Sequence, residues 1–145
     1  MSLWSRKPRI DHDRVVAAIA AAESRTSGEI RVLLARHKAA DPVAAAQGHF
    51  GRLGLDRTRR RNAVLIFVAP RSRTFAIIGD TGVHEKCGDA FWREVAAAMA
   101  AYFKRGDFTD GLVHGIERAG ALLAAHFPPE SGAGGELSDT VGEVD

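Results

Sequence analysis

Cysteine is almost missing from this chain of 145 residues. Cys87 stands alone, so no intrachain disulfide can form and nothing in the sequence asks for an oxidising compartment. Long apolar runs are missing as well: none approaches the roughly 20 residues that a membrane-spanning helix needs. The basic stretch MSLWSRKPRID at the start has no apolar segment behind it, so it does not read as a signal peptide or an anchor. A soluble, cytoplasmic protein is the expectation from these shortages. Two further absences narrow the chemistry. There is no G-x-x-x-x-G-K-[ST] loop, and Gly79-x-x-Gly82 is too short for a dinucleotide fingerprint. Aromatic residues are lacking around the arginine-rich stretch at 57–61, where a nucleic-acid surface would need them for base stacking. Nucleic acid is therefore not an expected partner.

What is present describes one ordinary globular domain. Apolar residues make up 46% and charged residues 26%, enough for a full core without staples. The net charge of +2 is unevenly placed: Glu130, Glu136, Asp139, Glu143 and Asp145 fall in 128–145 with no Lys or Arg among them. The chain thus divides into a basic folded part, 1–127, and an acidic Gly/Ser-rich tail, 128–145, which the composition predicts to be disordered.

The most informative stretch is RNAVLIFVAPRSRTFAIIGDTGVHEKCGD, residues 61–89. Residues 63–69 form the most apolar run in the chain, bounded by Asn62 and Pro70, as suits a strand buried on both faces. Pro70-Arg71-Ser72-Arg73 is turn-like, and 74–78 is β-branched and aromatic, so a hairpin is predicted. Gly79-Asp80-Thr81-Gly82 then opens what reads as a loop running to Asp89. Around this centre, Val15, Val16, Ile19 and Ala22 mark a first helix over 11–25, and 30–35 reads as a strand. Asp41-Pro42 is a cap followed by proline at the first helical position. Val43, Ala46, Phe50 and Leu53 give that second helix its stripe. Phe91, Val95, Met99 and Tyr102 mark a third helix, and Leu112, Val113, Ile116, Ala119, Leu123 and Phe127 a fourth, ended by Pro128-Pro129.

The predicted order is α-β-α-β-β-α-α. A right-handed β-α-β crossover makes the first two strands parallel and the hairpin adds an antiparallel third. The result is an α/β fold, a three-layer α/β/α sandwich with a small mixed sheet. In that topology the starts of the first two strands meet the end of the third, so that Glu29, Arg59, Arg60, Arg61, Asn62, Asp80 and Glu85 converge on one rim.

Asp80, Glu85 and Asp89, with Glu29 and Asn62, offer the hard oxygen donors that calcium, and after it magnesium, requires, although their spacing is not that of an EF-hand loop. A plainer reading is that Asp80 caps a turn, Glu85 is a first-turn acid and Asp89 caps the third helix. Arg59, Arg60 and Arg61 could hold an anion through their guanidinium forks, or simply pair with Asp80, Glu85 and Glu29. His84 and Cys87 lack the further ligands of a zinc site and the orienting group of a catalytic thiol.

Three segments, SGEIRVLL, RRRNAVLIFVAPRSRTFAIIGDTGVHEKCGDAFW and YFKRGDFTDGLVHGIERAGALLAAHFP, resemble the TPM domain family over roughly 9–128. The resemblance implies the same α/β/α sandwich. It also implies a domain that in some relatives binds divalent metal, calcium in particular, and in plant relatives is linked to phosphatase activity. The chain departs from many relatives in having no signal peptide or C-terminal membrane helix, and in reading Gly79-Asp80-Thr81-Gly82-Val83-His84-Glu85 where they carry a Gly-Tyr-Gly-Leu-Glu turn. No nucleophile or catalytic pair carries over. The expectation is a module that binds calcium or an unidentified partner, with a metal-dependent phosphatase-like hydrolase and a binder of anions or nucleic acid through the arginine loop as alternatives.

Overall fold

The computed structural model describes residues 9–130 and 141–144. Helix α1, His12–Glu23, starts at Asp11, whose carboxylate accepts the Arg14 N–H at 3.1 Å. Strand β1, Glu29–Ala35, follows, and then α2, Pro42–Arg52, capped by Asp41 through the Ala44 N–H at 3.0 Å with Pro42 in the first turn. Strands β2, Ala63–Ala69, and β3, Thr74–Gly79, form the hairpin. Its turn is longer than a two-residue loop: Pro70–Ser72 makes a 3-10 turn and Arg73 takes a left-handed conformation at φ 55°.

The sheet order is β3-β2-β1-β4, with β1 parallel to β2 and β2 antiparallel to β3, as the crossover rule requires. Every residue of β2 is buried, which explains its unbroken apolar run. On one face, Ile30, Val32, Val64, Ile66 and Ile77 pack against Val15 and Ile19 of α1 and against the two long C-terminal helices. These are α3, Thr81–Lys104, and α4, Phe108–His126. Gly115 lets α4 approach closely, since a Cβ there would lie 2.7 Å from the Met99 sulfur. On the other face, Leu33, Leu65 and Phe67 meet Ala46 and Phe50 of α2 and Leu55 of the following turn. Each such buried Leu, Ile or Phe contributes about 1.5–3 kcal/mol. The three layers are those read from the sequence.

Two expectations are corrected. Residues 81–89 are not a loop: α3 begins directly at Thr81, and the only irregularity within it is Gly88, at φ 69° and ψ 179°. The helix can start this early because Asp80 caps it and Val83, fully buried, anchors its first turn to the core. The tail is also not wholly without structure. Val141–Val144 forms β4, parallel to β1 in the register Val32↔Val141 to Ala35↔Val144. Two valines suit a strand, and β1 offers an edge to pair with. Arg36 ties the strand down through Glu143 at 3.1 Å. The rest of the tail lies outside the described residues.

Candidate functional site

Asp80 is where the sheet end and the α3 start are joined. Its N–H donates to the Ala63 carbonyl at 2.9 Å, continuing the β2–β3 ladder by one step. Its carboxylate accepts the Thr81 N–H at 2.7 Å and receives a two-pronged contact from Arg61, Nε to Oδ2 at 2.8 Å and Nη2 to Oδ1 at 3.1 Å. The Asp80 side chain is only 6% exposed whereas Arg61 is half exposed. The hydrogen bond and the charge of Asp80 raise the Arg61 pKa above its ordinary value. Arg61 reaches Asp80 from a left-handed backbone, φ 52°, at the end of a turn closed by its N–H to the Thr58 carbonyl at 3.1 Å. The same turn seats α3: a Cβ on Gly82 would lie 2.3 Å from the Arg60 carbonyl oxygen and 2.6 Å from that of Arg61.

The other two arginines behave differently from expectation. Arg60 Nε meets Glu130 at 2.9 Å and Arg59 Nη1 meets it at 3.4 Å. They clamp the segment after α4 onto the β2 entry instead of reaching Glu85 or Glu29, because Glu130 follows the Pro128-Pro129 stop and so passes that corner of the fold.

Glu29 and Asn62, both 1% exposed, hold the strand entries together. Glu29 stands opposite Ala63 in the register, and its N–H reaches the Asn62 carbonyl at 3.4 Å. The Asn62 backbone N–H donates to the Thr58 hydroxyl oxygen at 3.1 Å and its Nδ2 donates to the Ser27 hydroxyl at 3.2 Å; its Oδ1 has no partner among the described residues.

Beside this rim lies an open groove of 610 Å³, a common size for ligand sites. Its floor is the end of β3, Ile77, Ile78, Gly79 and Asp80. One wall is Gln47 and Phe50 of α2; the other is Thr81, His84, Glu85, Asp89 and Trp92 of α3. The structure therefore gathers Asp80, Glu85 and Asp89 around one space and leaves Glu29 and Asn62 out of it. Glu85 and Asp89 are exposed, and His84 Nε2 lies 3.4 Å from Asp89 Oδ1. Gln47 and the Trp92 wall are missing from the rim that sequence reasoning assembled. Gln47 stands one turn before Phe50 on α2, a spacing that puts the two on one face, but only the fold shows that this face borders β3.

The groove lining holds three carboxylates, a histidine and no Lys or Arg. Burial pushes the pKa of the Cys87 thiol, nearby on α3, up, and the charge of Asp89 adds to the effect. Oxygen donors of the kind a hard cation takes are thus present, but among the described residues no three His, Cys, Asp or Glu side chains are grouped so as to hold a metal ion by themselves. No helix of the described residues is long and apolar enough to cross a membrane.

Comparison with known proteins places the chain in a family. The family model described as the TPM domain matches residues 9–122. No curated protein matches. Among solved structures, the chain is similar to the BA42 protein from the psychrophilic bacterium Bizionia argentinensis, with 38% identity, a TM-score of 0.83, and coverage of 94% of this chain and 97% of that one. The N-terminal domain of a P. gingivalis protein shares the fold at 15% identity and a TM-score of 0.64, over 83% of this chain and 82% of that one. An N-terminal domain from Corynebacterium glutamicum does so at 18% identity and 0.55, over 90% and 80%.

Proposed function

The chain belongs to the TPM domain family, and from that premise we propose that it is a non-catalytic module that receives a cationic ligand, calcium first, in the groove between α2 and α3. The observation that carries this reading is the sign of the lining: in a chain with an overall excess of positive charge, three carboxylates and neither Lys nor Arg face one groove. Exposed Glu85 and Asp89 would supply the main oxygen donors. Asp80, whose two oxygens already accept from Arg61 and Thr81, would offer only its remaining lone pairs. A bound ion supplies positive charge between carboxylates that otherwise repel. It would also join the two halves of α3 across Gly88, since Glu85 precedes that break and Asp89 follows it. With few protein donors the affinity belongs to the weak end of calcium modules, on the order of 10⁻⁴–10⁻³ M.

The hydrolase and anion-binding readings find less support. The forks of Arg59 and Arg60 meet Glu130 and that of Arg61 meets Asp80, and the groove lining holds neither Ser nor Cys. A reducing cytoplasm suits the lone thiol of Cys87.

A calcium titration followed by thermal unfolding tests the proposal. At tenfold its dissociation constant the ion adds about 1.4 kcal/mol, which raises the melting temperature by several degrees in a domain of this size. The gain is expected to shrink in Glu85→Gln and Asp89→Asn, both at exposed positions. A melting temperature indifferent to millimolar calcium would overturn the reading.

A further inference from the structure

The floor of the groove is a strand edge as well as an apolar surface. Among the described residues the sheet order is β3-β2-β1-β4, so that β3 has a neighbour on one side only. Asp80 donates to the Ala63 carbonyl, and the register pairs Ile78 with Leu65 and Ala76 with Phe67. Main-chain groups alternate in direction along an antiparallel ladder. Thus Asp80, Ile78 and Ala76 turn theirs toward β2, while Gly79 and Ile77 turn theirs outward. Both outward-turned residues line the groove, which α2 and α3 flank among the described residues.

We propose that the groove takes an extended peptide of a partner protein, which adds to β3 as a fifth strand and carries lysine or arginine at alternate positions. Backbone pairing with Ile77 and Gly79 would give affinity, and the alternation of side chains along the added strand would give selectivity. Side chains on one side of that strand meet Phe50 and Gln47. Those on the other side meet the α3 wall, where Glu85 and Asp89 are exposed and no Lys or Arg opposes a basic residue. Gly79 carries no side chain because α3 stands close against it, a Cβ there lying 2.7 Å from Trp92 Cζ2 and 3.1 Å from Val83, so that the α3 wall lies directly beside this end of the edge. The proposal rests on the same acidic groove as the proposed function but not on calcium: a basic side chain fills the place of the ion and would compete with it.

The test uses the whole chain, a fluorescein-labelled octapeptide of alternating lysine and valine, and a chelator throughout. Binding is expected to slow hydrogen exchange at the Ile77 and Gly79 amides, and to weaken at least tenfold in a Glu85→Lys/Asp89→Lys double variant at exposed positions. The same peptide N-methylated on the backbone at alternate residues should bind at least tenfold more weakly, a control that needs no change to the protein. Unchanged exchange at the two amides, equal binding of the N-methylated peptide, or equal binding by the double variant would each overturn the proposal. Protection of the same amides without peptide, in step with self-association, would overturn it in favour of a second copy of the chain. Because the chelator removes calcium from the outcome, this experiment and the calcium titration can fail separately.

Discussion

Asp80 is required three times over: it closes the β2–β3 ladder, caps α3 and receives Arg61. These roles separate by substitution. Asp80→Asn keeps a capping side chain but not the charge, whereas Asp80→Ala removes both. Loss of the cap alone costs about 1 kcal/mol, so Asp80→Ala is expected to be the less stable of the two by about that amount in urea unfolding. The sequence offered Asp80 both as a cap and as a partner of the 59–61 arginines, but not which helix it caps or which arginine reaches it. The contact with Arg61 depends on the left-handed turn at Arg61, and a two-residue change of direction leaves no periodic trace.

His49 gives a second prediction at this scale. It stacks on Phe67 with ring centroids 5.5 Å apart, and its Nδ1 lies 2.8 Å from Arg52 Nη2, so the neutral ring is favoured. Burial, and then the charge of Arg52, lower its pKa from the ordinary value of 6.5. With the folded value below the unfolded one, the unfolded chain binds more protons in the window between them. Stability therefore falls on acidification below about pH 6.5. Melting curves of His49→Gln should depend less on pH across that window than those of the parent.

At the level of elements, the strands were easier to read than the helix starts. β1, β2 and β3 are apolar runs fenced by Gly28, Asn62, Pro70 and Gly79, and the structure keeps those fences within a residue. The start of α3 was hidden for a physical reason. Its first two turns contain Gly82 and Gly88 with Val83 as the one fully buried anchor, so neither propensity nor periodicity announces a helix. Gly88 tests this account. A Cβ there meets nothing within 4 Å, so Gly88→Ala would pay only for the backbone, at φ 69° and ψ 179°. That region is nearly reserved for glycine, and a cost of about 1–3 kcal/mol is expected in chemical denaturation. A neutral result would mean that the two halves of α3 can realign into one straight helix.

For the molecule as a whole, the layered architecture was legible because burial on both faces of β2 forces helices onto both sides. The candidate site was legible only in part. The topology brings Asp80 and Glu85 to one end of the sheet, but the groove also needs the α2 wall, and α2 reaches β3 through packing that no local pattern encodes. β4 escaped detection for a related reason: four residues beyond an acidic, glycine-rich stretch gain their meaning only from a partner far away in the chain. Ending the chain after Glu130 removes β4 and bares the side of β1 that carries Val32, Leu33, Leu34 and Ala35. Such an unpaired edge is a template for association. The shortened chain is therefore expected to self-associate at concentrations where the full chain does not, as sedimentation would reveal.

The position of β4 also bears on the order in which the molecule folds. During folding, β1, β2 and β3 can pair with one another without Val141–Val144, because β4 touches only the outer side of β1. Until β4 docks, β1 stands as an open border of the sheet. β4 thus acts as a closing step in folding, one that a chaperone or a neighbouring chain could reach first.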